Sequence, residues 1–380
     1  LGQFRYFWER EYSKPERVRL KTNRITYAKD VRPLVSTATA SVQGPGSRYE
    51  IDATIADVYL LSSDRQRIIG RPTLYVVVDV FSRMVAGFYI GLESPSYVTA
   101  MQALSIAMTS KVEICHRYGL DIKPEEWPTV GIPDAILADR GELLGYQIES
   151  LENAFGVHIE NTRPYGGDAK GIVERYFRTL QANFKPFAPG VVTTTTVKKR
   201  GGSDYRLDAT LTLEDFSKII VASIHQRNRS SVLAKYDRSA DMPDELVPTP
   251  INLWEWGIKN RSGRLRSAPP DLVRLAFLPR QKVTLSNLGI NCFGEYYTSS
   301  ELLKSGWLHR DSSLGRIELE AAYDPADAEQ IYLFPEKGIN TYWVCSLSDR
   351  SRQFRGQTMW ELWASKERQK KATAKAKIAD

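Results

Sequence analysis

Leu74-Tyr75-Val76-Val77-Val78-Asp79-Val80 is a near-continuous apolar run rich in β-branched residues, the pattern of a strand buried on both faces. Such a strand needs partners at both edges and a covering layer on each side. The flanking sequence supplies both. Tyr49-Glu50-Ile51-Asp52-Ala53-Thr54-Ile55 alternates and is rich in strand formers, and Met84-Val85-Ala86-Gly87-Phe88-Tyr89-Ile90 is a third run. Short polar turns between the three predict an antiparallel meander. A helix is expected from about Tyr97 to Tyr118, with Ser96 as N-cap and Val98, Met101, Leu104 and Ile106 as its apolar positions. Then follow a strand (Ala135–Ala138), a helix (about Gly145–Phe155), a strand (Val157–Glu160) and a long helix (about Asp168–Phe184).

The order βββαβαβα predicts an α/β domain of ribonuclease-H-like arrangement, a mixed sheet with helices on both faces, over residues 48–240. Before it, residues 1–47 read as a helical linker: Phe4, Phe7, Trp8 and Tyr12 share one helical face over residues 1–20, Pro15 lies near the end of that helix, and Gly44-Pro45-Gly46 makes a turn. Residues 241–275, rich in Pro, read as a second linker or short helical piece. Over 276–350, short alternating stretches recur at Lys282–Leu285, Ile290–Phe293, Arg316–Leu319, Ile331–Phe334 and Tyr342–Cys345, separated by Gly, Asn, Asp and Ser. That spacing predicts a small all-β barrel. Residues 351–380 read as a basic C-terminal helix or tail.

Composition excludes several classes. No run of 18 apolar residues exists, so no membrane-spanning helix is expected. Three scattered cysteines, Cys115, Cys292 and Cys345, with no CxxC pair, argue against a zinc knuckle or a disulfide scaffold and for a reducing cytosol. His116, His158, His225 and His309 show no metal-ligand spacing. Gly166-Gly167-Asp168-Ala169-Lys170-Gly171 departs from the P-loop pattern, so nucleotide binding is not expected. The sequence opens on Leu1 without an initiator Met and reads as part of a longer or processed chain. The net charge of +7 is distributed as +5 in residues 1–50, −3 in the middle and +5 in residues 351–380. Basic ends around a slightly acidic centre suit an anionic polymer gripped about a metal site, although Lys-rich termini are also commonly just solvated.

Metal-dependent phosphoryl transfer needs several carboxylates converging on hard divalent cations. Asp52 lies on the first expected strand, Asp139 at the carboxyl end of the fourth, and Glu174 on the long helix, 35 positions after Asp139. The first and fourth strands are neighbours in the expected topology, so the aspartates approach one another and the helix brings Glu174. Lys170, Glu174 and Arg178 share one helical stripe. Surface ion pairs would give the same stripe, and only the aspartates favour a site. Asp79 is a possible fourth ligand but reads better as a strand-end cap. Asp57 and Asp64 read as turn residues, Asp168 as a helix N-cap, and Glu142 as a neighbour of Asp139.

These motifs carry a resemblance. Tyr49–Thr54, Val78–Arg83, Leu137–Glu142 and Gly167–Glu174 resemble the retroviral-integrase and DDE-transposase superfamily and, more narrowly, the TnsB-type transposases of Tn-seven-like transposons. Gly44-Pro45-Gly46, Phe187–Gly190, Tyr205–Asp208 and Arg350–Phe354 extend the likeness over nearly the whole chain. The resemblance implies that Asp52, Asp139 and Glu174 are the catalytic acids and bind two Mg²⁺, with Mn²⁺ as substitute. It implies cleavage at the 3′ transposon ends and transfer of the freed hydroxyl to target DNA without a covalent enzyme intermediate. It implies a Mu-type barrel after the catalytic domain, self-association on DNA, an endonuclease subunit (TnsA) and an AAA+ ATPase (TnsC) as partners, and a bacterial cytoplasmic setting at the nucleoid. DNA contacts are expected first at Arg140, Lys170 and Arg178, then at Lys198, Lys199 and Arg200. Two other readings stand beside this one: a non-catalytic DNA-binding or assembly subunit, and a nuclease on the same fold. Joined strands, nicks alone or binding alone distinguish the three.

Overall fold

In the computed structural model the described residues are 2–23, 26–27, 42–138, 152, 155–161, 171–184, 208–261, 265–309, 317–325, 327–336, 341–357, 359, 361–363, 365–366 and 369. The chain divides into two compact units, residues 1–144 with 156–267 and residues 145–155 with 268–380.

The first unit opens with α1 (Gly2–Glu11) and α2 (Lys14–Lys21). The single helix expected over 1–20 is thus two. Pro15 begins the second rather than ending the first, because its missing N–H costs nothing in a first helical turn. The Glu16 carboxylate reaches back to accept from Ser13 N and Oγ at 2.8 and 2.7 Å.

The sheet holds β1 (Arg48–Ile55), β4 (Thr73–Asp79), β5 (Val85–Gly91), β6 (Ala135–Ala138) and β7 (His158–Asn161). A small hairpin, β2 (Leu60–Leu61) with β3 (Ile68–Gly70), interrupts the meander and was not expected. The strand order is β5-β4-β1-β6-β7. The β1–β4 and β4–β5 pairs are antiparallel, and β1–β6 and β6–β7 are parallel. This is the ribonuclease-H-like arrangement. Every residue of β4 is buried, as its central apolar run Leu74–Val78 demands.

Both faces of the sheet are covered. On one face lies α3 (Tyr97–Met108), packed so closely on β5 that a Cβ on Gly87 would stand 2.4 Å from Ala103 O and 2.5 Å from Ala107 N. The helix expected from Tyr97 to Tyr118 breaks after Met108 and resumes as α4 (Val112–Arg117). Lys111 causes the break. It is 1% exposed, and its Nζ donates to the carbonyls of Ala107, Thr109 and Thr129, closing the end of α3. The other face carries α5 (Gly171–Phe184) and α6 (Leu213–Ser230). Val173, Tyr176, Phe177 and Leu180 of α5 join Phe216, Ile220, Val221 and Ile224 of α6 in one core with Val76, Val78 and Phe88 of the sheet.

The stretch 241–275, read as a linker or short helical piece, is helical in two places. It carries α7 (Pro250–Asn260), capped by Thr249, and α8 (Pro270–Phe277). Both are amphipathic. Trp254 of α7 is buried in the first unit's core, and Val273, Leu275 and Phe277 of α8 are buried in the second unit. Among the described residues, no helix is long and apolar enough to cross a membrane.

The second unit is built on a closed barrel of β8 (Arg280–Ser286), β9 (Gly289–Cys292), β10 (Glu295–Thr298), β11 (Ile317–Asp324), β12 (Asp327–Phe334) and β13 (Trp343–Leu347), in the order β10-β13-β12-β11-β8-β9. The α9 turn (Ser300–Lys304) follows β10. Phe293, expected within a strand, forms the β9–β10 turn with Gly294, at φ +52° and +81°. Positive φ at both central residues matches the twist of a tight hairpin. The segment expected as a basic C-terminal helix or tail over 351–380 packs on the barrel where it is described. Met359 and Leu362 are buried in the barrel core, Trp363 packs edge-on to Phe293, and Lys366 pairs with Glu295 at 2.6 Å.

Candidate active site

The sheet's pairing sets which β1 side chains face which layer. Asp52 is opposite Val76 and Glu50 opposite Val78. Opposed residues of an antiparallel pair project to one face, and Val76 and Val78 belong to the core covered by α5 and α6. Glu50 and Asp52 therefore point to the α5 side. Exposure rises along the strand: Glu50 is 1% exposed and Asp52 is half-buried.

The apolar stripe Val173, Tyr176, Phe177 and Leu180 turns α5 inward and leaves Glu174, Arg175 and Arg178 exposed. Glu174 stands in the first turn of α5. The Val173 N–H, beside it, donates to Glu50 Oε2 at 3.2 Å. The helix start that carries one expected acid is thus bonded to the strand that carries another. The chain leaves β6, the parallel neighbour of β1, at Ala138. The next residue, Asp139, lies outside the described residues, as do Arg140, Glu142, Asp168, Lys170, Lys198, Lys199 and Arg200. Among the described residues, no group of three His, Cys, Asp or Glu side chains gathers for a metal. Asp52 and Glu174 are hard oxygen donors at the water-reachable end of one face, and that chemistry fits a hard divalent cation.

Asp79 behaves as the strand-end cap. Its carboxylate accepts from Gly46 N at 2.9 Å, Ser82 N at 2.7 Å and Ser82 Oγ at 2.6 Å. Complete burial pushes its pKa up to about 6 against those hydrogen bonds. Asp57 pairs with Arg71, and Asp64 accepts from the Gln66 N–H within its turn.

Three further residues lie around these acids and are not singled out as candidates from the sequence. Arg83, at φ +64°, lies within electrostatic reach of Glu50 and Asp79. The Arg227 guanidinium of α6 sits 4.5 Å over the Tyr176 ring of α5 and donates to the Arg83 carbonyl at 3.1 Å. Glu50 carried a readable signal, since it stands two residues before Asp52 on an alternating strand. The arginine contacts are long-range and left none.

Two family descriptions match this chain, "TnsB C-terminal domain" over residues 50–190 and "Mu transposase, C-terminal" over residues 274–346. It is 53% identical over 379 residues, 99% of its length, to the transposon Tn7 transposition protein TnsB of Escherichia coli. It is 23% identical over 295 residues to the transposase for transposon Tn552 of Staphylococcus aureus, 76% of this chain. The chain spans about half the length of these curated relatives, 54% and 52% respectively. Among solved structures it is similar to the simian T-cell lymphotropic virus intasome in complex with PP2A regulatory subunit B56 gamma, with a TM-score of 0.33 and 12% identity, covering 80% of this chain and 77% of that one. It is also similar to the catalytic core domain of BIV integrase, with a TM-score of 0.29 and 14% identity, covering 56% and 95%. With half of all positions identical across its whole length, and both domain descriptions matched in order, this chain is similar throughout to the TnsB transposition protein.

Proposed function

We propose that this chain is the catalytic core of a DNA transposase that cleaves transposon 3′ ends and joins them to target DNA. The observation that supports the reading is the hydrogen bond from Val173 to Glu50, which ties the first turn of α5, carrying Glu174, to β1, carrying Asp52, in a chain 53% identical to a TnsB transposition protein. Asp52, Asp139 and Glu174 would hold two Mg²⁺, or Mn²⁺ in their place. Such paired ions favour ionisation of an attacking oxygen and stabilise the leaving one.

In the first step water attacks the phosphodiester at the transposon end, and the 3′ oxygen leaves as a hydroxyl. In the second that hydroxyl attacks a target phosphodiester. One phosphorus–oxygen bond forms, one breaks, and the target's own 3′ oxygen departs. Arg178, exposed one turn beyond Glu174, together with Arg140, Lys170, Lys198, Lys199 and Arg200, would bind phosphates. Contacts of that kind make DNA affinity fall steeply with salt. Pairing two ends calls for self-association on DNA. An endonuclease subunit of the TnsA type and an AAA+ ATPase of the TnsC type are the expected protein partners, at the nucleoid in bacterial cytoplasm.

A strand-transfer assay tests this with pre-cleaved transposon-end DNA, a plasmid target and Mn²⁺, comparing the chain with Asp139→Asn. Joined product from the parent alone supports the transposase. Nicked target without joining, from the parent alone, replaces it with a nuclease.

A further inference from the structure

Asp52 and Glu174 sit on separate elements, so their relative position depends on how α5 seats on the sheet. The apolar stripe of α5 holds the helix against the core, but hydrophobic contact is non-directional and fixes neither rotation nor slide. A directional link is needed, and among the described contacts between α5 and β1, Glu50 provides one. It shares a strand and a face with Asp52, one pleat further into the sheet. Its Oε2 accepts the Val173 N–H at 3.2 Å. That N–H belongs to the first turn of α5, where no backbone acceptor within the helix is available, and a carboxylate at that end also suits the helix dipole. Through this bond, Asp52 and Glu174 are separated by two backbone steps along the strand and one along the helix.

The surroundings favour a fixed position over simple cohesion. A carboxylate that is 1% exposed is costly unless it is paired and hydrogen-bonded. Arg83 faces it electrostatically. Arg227 binds the Arg83 carbonyl and stacks on Tyr176, one turn along α5 from Val173, so the cluster returns to the helix it started from. Buried ion pairs seldom stabilise a fold more than apolar side chains of equal volume do. Directional placement of the helix is what an apolar residue at position 50 would not supply.

We infer that Glu50 is a positioning residue that sets the Glu174 carboxylate of α5 against the Asp52 carboxylate of β1 for binding divalent metal. The inference rests on the reading of Asp52 and Glu174 as ligands. Groups that orient metal ligands from behind typically govern metal affinity by about 10–100-fold.

The test is Mn²⁺ binding, followed by the electron paramagnetic resonance signal of the free ion. It is run far below the melting temperature on the parent chain, Glu174→Gln, Glu50→Gln, Glu50→Asp and Glu50→Ala. Amide exchange at Val173 is measured in parallel. Gln keeps an acceptor for Val173, so Glu50→Gln is expected to bind within about threefold of the parent. Asp falls one methylene short, and Ala removes the acceptor. Both are expected to bind about tenfold more weakly or worse, with faster exchange at Val173. In strand transfer, the Mn²⁺ concentration giving half-maximal rate rises for Glu50→Asp while the rate at saturating Mn²⁺ is retained. Parent-like Mn²⁺ affinity in Glu50→Asp, with binding lost in Glu174→Gln, overturns the positioning role and leaves the ligand reading standing. Unchanged binding in Glu174→Gln overturns the ligand reading, and the inference goes with it. Because Glu50→Asp keeps the charge facing Arg83, failure of the Ala variant to fold leaves the test intact.

Discussion

Asp79 and Asp52 lie on paired strands and differ in exposure, Asp79 being fully buried and Asp52 half-buried. Asp79 is wholly buried, spends both oxygens on Gly46 and Ser82, and has its pKa pushed up to about 6. A carboxyl titrating near 6 when folded and about 3.9 when unfolded favours folding only while protonated. Its contribution is therefore full below about pH 4 and is lost as pH rises through about 6, a change of about 3 kcal/mol. Asp79→Asn cannot titrate. Chemical denaturation of both chains is expected to show the parent losing about 2 kcal/mol relative to the variant between pH 4 and pH 7. A difference that stays flat with pH means that the buried carboxylate carries no such penalty. Glu174 presents the other case. It is exposed, so Glu174→Gln is expected to change stability by no more than about 0.5 kcal/mol while abolishing strand transfer. A variant that still joins DNA at the parent rate removes Glu174 from the site.

At the scale of elements, the sheet is fastened to its two helical layers by different devices. On the α6 side the link is polar: Asn228, fully buried, accepts from Val85 N and donates to Val85 O, both at 3.0 Å. Asn228→Ala strips a buried strand end of that partner and is expected to cost about 1–3 kcal/mol in urea denaturation. On the α3 side the link is steric, because Gly87 lets the helix backbone approach. Gly87→Ala drives a methyl into the backbone of Ala103 and Ala107 and is expected to cost about 1–3 kcal/mol by the same measurement, since no flexible side chain is there to yield. Neither device can be read from periodicity. The strands of the sheet were legible because Leu74–Val78 is a continuous apolar run and Tyr49–Ile55 alternates. The break at Lys111 was not, because a lysine reads as surface until three carbonyls close around it. Strand β10 was missed because Phe293 is no ordinary turn residue. At the candidate site, Asp52 and Glu174 are proposed from residue type and spacing. Their link through Val173 could not be, since a backbone N–H has no letter of its own and meets Glu50 only once α5 has packed.

Among the described residues, the two largest hydrophobic clusters draw on separate parts of the sequence. The core of the first unit runs from Ala56 to Trp254 and that of the barrel from Val283 to Leu362. The barrel is closed, so it leaves no sheet edge to be covered, and Met359, Leu362 and Trp363 from the following segment complete its interior. Each unit therefore meets its own demand for burial, and damage to one core should remain there. Ile331, 0% exposed on β12, is a clean probe. Ile331→Ala leaves a cavity and is expected to lower the barrel's stability by about 2–5 kcal/mol. Hydrogen exchange read by mass spectrometry separates local from global effects. Peptides covering β8 to β13 should exchange faster, while those covering β4 and β5 keep the parent rate. Equal acceleration in β4 would mean that the two cores open together. Protection lost only from the barrel would mean that the carboxylate face of the first unit stays folded when the barrel opens, so that any loss of DNA joining in this variant belongs to the barrel's own contacts.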